Sequence, residues 1–198
     1  QGRHVSSAEG DIAAGVFWPG AGTWILQEDL SGPLPVESTD AGWLARTGRI
    51  PLGYLGDAEK TAATFPLVDG VRWSVPGDRA HWRPDGSIQL LGRDSVCINT
   101  GGEKVFVEEV EAALHAHPDV VDAVVVGRPS ERWGSEVVAI VDRGTSDVDA
   151  AEIVSHCDGH LARYKLPKDV RFVAQVQRSP TGKPDYQWAA EAAVEGDR

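Results

Sequence analysis

The apolar residues of this chain follow two different patterns, and the change between them limits its fold more than any other feature. Residues 1–93 carry short apolar runs separated by Gly and Pro, as in a β-rich unit with tight turns. Residues 96–198 instead combine helical spacing with β-branched runs, which indicates helices packed over a small sheet. We therefore predict an α+β fold in which a small β-rich subdomain precedes a compact α+β domain.

The short apolar runs of the first half are typical of strands, and turn residues separate them. Asp85-Gly86 lies between the last two runs and predicts a tight hairpin. A short helix is predicted from Asp57, whose carboxylate can accept backbone N–H groups, to Phe65. The predicted strands are 23–26, 42–45, 79–82 and 88–91.

The second half predicts the order helix, strand, strand, helix, strand, helix. The first helix has to end before Pro118, which cannot continue it. A short polar segment, residues 92–95, separates the halves, so we predict domains 1–93 and 94–198 with a hinge between them. The predicted elements are helices 105–117, 147–160 and 185–194 and strands 120–126, 137–141 and 170–176.

Size and charge narrow the classes of function. The 198 residues carry a net charge of −11, and such a chain is a poor general binder of nucleic acid because it repels phosphates. None of its apolar runs approaches the roughly 20 residues needed to span a bilayer, so no transmembrane segment is predicted. Its sequence also shows no signal segment. A cytoplasmic location is therefore expected. Cys97 and Cys157 lack metal-ligand spacing and are expected to be reduced thiols.

Two charged residues near the boundary suit a nucleotide. Asp78 follows a Gly, and its carboxylate can accept hydrogen bonds from a pair of sugar hydroxyls. An ordinary turn residue is the alternative for Asp78. Arg93 has a planar fork that suits a ribose or a phosphate, and a surface ion pair is the alternative.

Two Gly-containing segments of the second half are further candidates. Gly101-Gly102, followed by Lys104, can expose backbone N–H groups to a ligand, and a hairpin turn is the alternative. Lys183 follows a Gly and can place a mobile cation on a phosphate or carboxylate. A solvated surface lysine is the alternative for Lys183.

Metal-ligand types occur at scattered positions. Glu9 could bind Mg²⁺ through oxygen, and a flexible terminus is the alternative. His156 and His160 share one face of a predicted helix, but the spacing supplies no third ligand. We expect both histidines at the surface.

These segments occur in the order typical of adenylate-forming enzymes, and the chain resembles that superfamily over nearly its whole length. Residues 92–111 look most similar to fatty-acid–CoA ligases of actinobacteria. The segments that carry the resemblance are Gly53-Tyr54, Gly77-Asp78, 86–93, 101–105, 108–111 and Gly182-Lys183.

The resemblance implies part of an acid–CoA ligase. Such an enzyme joins ATP and a carboxylic acid, here a fatty acid, into an acyl-adenylate and then transfers the acyl group to CoA. Residues 1–93 would end the large N-terminal domain, and residues 94–198 would be the mobile C-terminal lid that rotates between the steps. The implied ligands are ATP or AMP, CoA and Mg²⁺, and the implied partner is the chain's own missing N-terminal domain.

The resemblance also implies a role for each candidate residue. Asp78 and Arg93 would bind the nucleotide. Lys183 would be catalytic, bridging the acid carboxylate and the α-phosphate during adenylation. The loop that faces CoA would contain Gly101, Gly102 and Lys104.

Three departures from the family accompany the resemblance. Ser95, preceded by Asp94, stands at the pivot position where the family has Asp or Lys, so we expect a hinge without its charge. Ala8 stands where the family has a hydroxyl residue before the Mg²⁺-binding carboxylate that Glu9 would match. The family's phosphate loop has no counterpart, and the chain has no Met. We therefore expect a C-terminal fragment that is inactive alone.

Other functions remain open at this point. A fatty acyl-AMP ligase or a peptide-synthetase adenylation domain would share most of these segments, although the CoA-facing loop favours a CoA ligase. A non-catalytic partner-binding module is the remaining alternative. The joint presence of Asp78, Arg93 and Lys183 argues against that module.

Overall fold

The computed structural model describes residues 15–194, which form two compact units, residues 15–95 and residues 96–194. The predicted Mg²⁺ ligand Glu9 lies outside the described residues. No helix within 15–194 has the length and apolar character needed to cross a membrane. The fold is mixed α+β, as predicted from the change of pattern along the chain.

The first unit is rich in strands. Its elements are β1 (Val16–Phe17), β2 (Thr23–Leu26), β3 (Gly42–Arg46), α1 (Ala58–Thr64), β4 (Leu67–Val68), β5 (Val71–Arg72), β6 (Asp78–Trp82) and β7 (Ile88–Arg93). Five of these strands form an antiparallel sheet in the order β1-β7-β6-β3-β2, and β4 pairs with β5. The four strands predicted from short apolar runs are confirmed.

Local sequence explains how these elements begin and turn. Ile25 and Ile88 are fully buried in the core beneath the sheet. Gly86 has a φ of +82° in the turn between β6 and β7, a conformation that residues with a Cβ rarely adopt. Asp57 caps α1 because its side chain accepts a hydrogen bond from the Lys60 amide. The predicted hairpin and the predicted helix cap are therefore confirmed.

The second unit combines a small sheet with helices. Its elements are β8 (Ile98–Thr100), β9 (Glu103–Val105), α2 (Val107–His115), β10 (Asp122–Ser130), β11 (Gly134–Asp142), α3 (Ala150–Asp158), β12 (Asp169–Phe172) and α4 (Tyr186–Val194). The main sheet has the order β10-β11-β12, with β10 antiparallel and β12 parallel to β11. β8 and β9 form a separate hairpin.

Helices cover both faces of this sheet. Val125 packs with residues of α2 and α3 in one apolar cluster. Val124 and Ile140 pack with Ala189 of α4 in another cluster. Because neither face meets water, β10 and β11 need no polar alternation, which explains their β-branched runs.

Two predicted elements of the second unit have clearly different bounds in the structure. α2 begins at Val107, because Val105 completes strand β9 instead of opening the helix. The strand predicted over 170–176 ends at Phe172.

Cys97 and Cys157 are both free thiols, as expected, and burial raises the pKa of Cys157 to about 11.

Candidate functional site

Asp78 and Arg93 lie directly opposite each other, because Asp78 begins β6 and Arg93 ends β7 in the same register. Arg93 Nε donates a hydrogen bond to Asp78 Oδ1 over 3.2 Å. The Arg93 side chain is 59% exposed and the Asp78 side chain 24%, so solvent reaches both. A carboxylate held beside a guanidinium can accept hydroxyl hydrogen bonds while the guanidinium contacts a phosphate or ribose.

The predicted hinge residues lie in a short 3₁₀ turn that follows β7. Ser95 is exposed, whereas Asp94 is partly buried. The Asp94 amide donates to the Gly77 carbonyl over 3.1 Å. Arg79 is buried, and its Nε lies 3.9 Å from Asp94 Oδ1. The backbone of Asp94 is thus bonded to the first unit and its carboxylate lies near Arg79, while Ser95 is open to solvent.

Gly101 and Gly102 form the tip of the β8–β9 hairpin, with φ angles of +59° and +90°. The Gly101 amide donates to the Trp133 carbonyl over 2.9 Å, and a Cβ on Gly101 would lie 3.1 Å from the Trp133 ring. A Cβ on Gly102 would meet no atom within 4 Å. Lys104 follows on β9 and is exposed. The segment is therefore a hairpin whose tip leaves Gly102 open for a close approach.

Lys183 is exposed at the end of a tight turn, residues 179–183. The Ser179 amide donates to the Lys183 carbonyl over 2.8 Å, and the Lys183 amide donates to Ser179 Oγ over 3.2 Å. Gly182 supports the turn with a φ of +79°. These bonds define the backbone from which the lysine extends.

Arg178 connects this turn to the sheet. Its Nε and Nη2 donate to both carboxylate oxygens of Asp122, at 2.8 and 2.6 Å, and its Nη1 donates to the Gly182 carbonyl over 3.1 Å. The hydrogen bonds from Arg178 lower the pKa of Asp122. Arg178 therefore links the first residue of β10 to the peptide that precedes Lys183.

Two segments are attached to opposite ends of β10. One is the β8–β9 hairpin, called here the glycine hairpin, and the other is the turn 179–183, called the lysine turn. Asp122, which contacts the lysine turn through Arg178, begins the strand, and Trp133, which contacts the hairpin, lies just beyond its end at Ser130. A strand of nine residues spans roughly 26 Å. The two candidate groups of this unit therefore lie far apart.

Glu111 is a half-buried carboxyl on α2, close to Arg178 and Asp122. Its Oε1 accepts a hydrogen bond from the Val125 amide over 2.9 Å. Burial raises the pKa of Glu111 to about 7, although the Val125 amide opposes the shift. Burial and the nearby Glu111 also raise the pKa of Tyr186.

Metal-ligand side chains do not converge in the described part of the chain. No group of three or more His, Cys, Asp or Glu residues within 15–194 is placed to hold a metal ion. His160 is exposed, as expected, whereas His156 is only partly exposed. The rings of His117 and His160 lie with their centroids 5.0 Å from that of His156, and burial lowers the pKa of His156.

Four residues of the site could not be recognised in the sequence: Arg178, Asp122, Trp133 and Glu111. Arg178 had one local signal, since it directly precedes the turn that carries Lys183. The contacts of the other three join segments that are distant in sequence, so no local pattern reveals them. Glu111 belongs to the segment 108–111 that carries the resemblance, but no role was predicted for it.

Comparison with protein families finds one matching domain. Residues 109–183 match the model of the AMP-binding enzyme C-terminal domain. This match covers most of α2, the whole β10–β11–β12 sheet and the turn that ends at Lys183.

Curated relatives are named as CoA ligases. The chain is 58% identical over 196 residues to the medium-chain acyl-CoA ligase Mig of Mycobacterium avium. The aligned region covers 98% of this chain and 35% of that protein. It is 52% identical over 170 residues to a medium/long-chain-fatty-acid–CoA/3-oxocholest-4-en-26-oate–CoA ligase of Mycobacterium tuberculosis, covering 85% and 31%. The chain therefore spans about a third of the length of these relatives.

Solved structures show the same fold. ATP-bound MatB from Rhodopseudomonas palustris matches 90% of this chain and 35% of its own, with a TM-score of 0.75 and 30% identity. The o-succinylbenzoate–CoA synthetase MenE from Bacillus subtilis, in complex with its acyl-adenylate intermediate, matches 84% and 33%, with a TM-score of 0.75 and 26% identity.

Proposed function

The chain belongs to the adenylate-forming enzymes that share the AMP-binding enzyme C-terminal domain, and we propose that it is the C-terminal portion of a fatty-acid–CoA ligase. The enzyme would convert ATP and a fatty acid into acyl-AMP and pyrophosphate, and the CoA thiol would then displace AMP. The observation that carries this proposal is the 58% identity to a medium-chain acyl-CoA ligase over 98% of the chain. We propose a fatty acid of medium or long chain as substrate, from the names of both relatives.

Asp78 and Arg93 are the proposed contacts for the nucleotide. Their side chains share one end of the β6–β7 pair, and both reach solvent. A carboxylate suits the two ribose hydroxyls, and the adjacent guanidinium suits the ribose or a phosphate.

Lys183 is the proposed catalytic cation of the first half-reaction. A carboxylate and the α-phosphate repel each other as they approach, and an ammonium group between them offsets that repulsion. Lys183 fits this role because it is exposed on a turn with a defined backbone. The lysine would serve adenylation and not the later transfer to CoA.

The β8–β9 hairpin is the proposed CoA-facing loop of the second half-reaction. Gly101 and Gly102 would let the pantetheine arm pass close to the backbone, and Lys104 lies beside them on β9. The hairpin and the lysine turn lie at opposite ends of β10, which supports a lid that presents one end in each step. We propose Asp94 and Ser95 as the hinge for that movement.

The remaining parts of the proposal concern the surroundings of the enzyme. We infer that the phosphate loop and acid pocket belong to a large N-terminal domain that this chain needs for activity. Mg²⁺ would accompany ATP, with Glu9 as its candidate ligand, and the location would be the cytoplasm.

The proposal is tested with the full-length protein, ATP, CoA and a panel of fatty acids. We expect acyl-CoA to form, with AMP and pyrophosphate released, and little ATP–pyrophosphate exchange by residues 1–198 alone. Accumulation of acyl-AMP without thioester would favour a fatty acyl-AMP ligase. Transfer to a carrier protein instead of CoA would favour a peptide-synthetase domain, and no acyl-AMP at all would contradict the proposal.

A further inference from the structure

Arg178 is the side chain that anchors the lysine turn to the sheet. The bonds between Ser179 and Lys183 close the turn upon itself, but they do not attach it to the sheet. Nη1 of Arg178 donates to the Gly182 carbonyl, while its other two donors hold the carboxylate of Asp122. The turn is thereby fixed to a strand whose neighbouring residues are buried on both faces.

We propose that Arg178, held by Asp122, is a positioning residue for Lys183 in acyl-adenylate formation, an inference that rests on the proposed function. The Gly182 carbonyl belongs to the peptide group that leads directly into Lys183. Fixing that peptide plane fixes the direction in which the lysine side chain leaves the turn. Arg178 does not need to touch a substrate to have this effect.

A guanidinium suits the task of joining the Asp122 carboxylate to the Gly182 carbonyl better than any other side-chain group. Its planar fork makes two parallel bonds to a carboxylate and keeps a further N–H for another acceptor. Asp122 is itself held by the Ala123 amide, which donates to its Oδ1 over 2.8 Å. A lysine at position 178 could not make all three bonds in one fixed geometry.

A small displacement of Lys183 is enough to affect the reaction. A catalytic group misplaced by about 1 Å can reduce a rate on the order of 100-fold. The transfer of the acyl group to CoA is proposed to use the opposite end of β10, so loss of Arg178 should not affect it. This difference between the half-reactions separates positioning from a general role in stability.

The test uses Arg178→Lys and Arg178→Ala in the full-length protein. We expect ATP–pyrophosphate exchange to fall about 10- to 100-fold, with the larger loss for Ala. Thioester formation from supplied acyl-AMP should stay at the wild-type rate, which also shows that each variant is folded. The KM for ATP should change little, because Arg178 is not proposed to bind nucleotide.

Arg128 provides a matched control in the same unit. Its guanidinium pairs with Glu136 and Asp169 and donates to the Ala193 carbonyl, but these contacts do not involve the lysine turn. Arg128→Ala should therefore lower both half-reactions by the same factor, through loss of folded protein.

Two results would overturn the positioning role. The first is an equal decrease of both half-reactions in the Arg178 variants, as in Arg128→Ala. The second is unchanged exchange in Arg178→Ala while Lys183→Ala abolishes exchange, which would leave the proposed function intact. Unchanged exchange in Lys183→Ala would instead refute the role of the lysine and the positioning role together.

Discussion

Arg93 Nε lies 3.2 Å from Asp78 Oδ1 across the paired ends of β6 and β7. The ion pair holds the carboxylate in one orientation while leaving part of it accessible to solvent. A nucleotide that binds here would meet an acceptor and a donor that are already in place. The arrangement predicts a binding defect, and not a defect in the chemical step, when either side chain is removed.

Asp78→Ala should weaken nucleotide binding. Hydrogen bonds to a charged group contribute about 1.5–3 kcal/mol, so the KM for ATP should rise roughly 10- to 100-fold in the full-length protein. Steady-state kinetics at saturating fatty acid would measure the change. Asp40→Asn removes a more exposed carboxylate of the same unit and should leave the KM for ATP unaltered. An unchanged KM in Asp78→Ala would refute the assignment.

Lys183→Ala should separate the two half-reactions. Loss of a preorganised charge at the reacting centre reduces rates on the order of 10²- to 10³-fold, so ATP–pyrophosphate exchange should fall by that factor. Transfer from supplied acyl-AMP to CoA should persist. Lys168→Ala removes another exposed lysine of the same unit and should affect neither step. If Lys183→Ala slowed both steps equally, the assigned role would be wrong.

Gly102→Val should impair transfer to CoA and spare acyl-adenylate formation, the opposite of Lys183→Ala. A Cβ at this position meets no atom of the chain within 4 Å, and the side chain would project into the space through which we propose that pantetheine passes. We expect loss of CoA-dependent turnover with normal pyrophosphate exchange, measured on the same preparation. The unfavourable φ should also cost on the order of 1–3 kcal/mol of stability.

Gly70 supplies the matched control for that substitution. Its φ is +74° and a Cβ there would also meet nothing within 4 Å, but it lies in the first unit between β4 and β5. Gly70→Val should carry a similar cost in stability and retain turnover with CoA. Normal CoA-dependent turnover in Gly102→Val would exclude the tunnel assignment.

Glu111 should make stability depend on pH. Its pKa is raised to about 7 in the folded chain from an ordinary 4.5, so the folded state binds the proton more tightly than the unfolded state. Its contribution is therefore fully present below pH 4.5 and is lost as the pH rises through 7. Glu111→Gln should remove this loss, because the amide stays neutral and can still accept from Val125.

Urea unfolding of residues 1–198, followed by circular dichroism, would measure this dependence. At pH 8 the Gln variant should be more stable than the wild type by about 3 kcal/mol, and at pH 4 the two should be similar. The pKa of Asp122 is lowered from 3.8, so its protonation changes stability below the range from pH 4 to pH 8 that is compared here. A constant difference between the two proteins across the window would contradict the raised pKa of Glu111.

Local sequence patterns predicted most of the elements and the individual candidate residues. Asp57 and Gly86 act on their immediate neighbours, so the cap and the turn that they form are visible in short segments. The order of the motifs suggested that Asp78 and Arg93 share a site, and their pairing depends only on one hairpin register.

The remaining features depend on tertiary contacts. Arg178 and Asp122 form their ion pair across segments with no shared local pattern, so neither sequence neighbourhood reveals it. The burial that raises the pKa of Glu111 accompanies the packing of α2 against β10, two elements that pair only in the folded chain. The start of α2 at Val107 depends on the pairing of β9 with β8, which took over residues that helical spacing had assigned to the helix.

The double-sided packing of β10 has a consequence for the timing of catalysis. A strand enclosed by apolar clusters on both faces cannot bend far enough to bring its two ends together. Under the proposed function, the lysine turn must leave the reacting centre before the glycine hairpin can arrive there. The two half-reactions would then exclude each other in time, and the reorientation of the lid would set an upper limit on the turnover number.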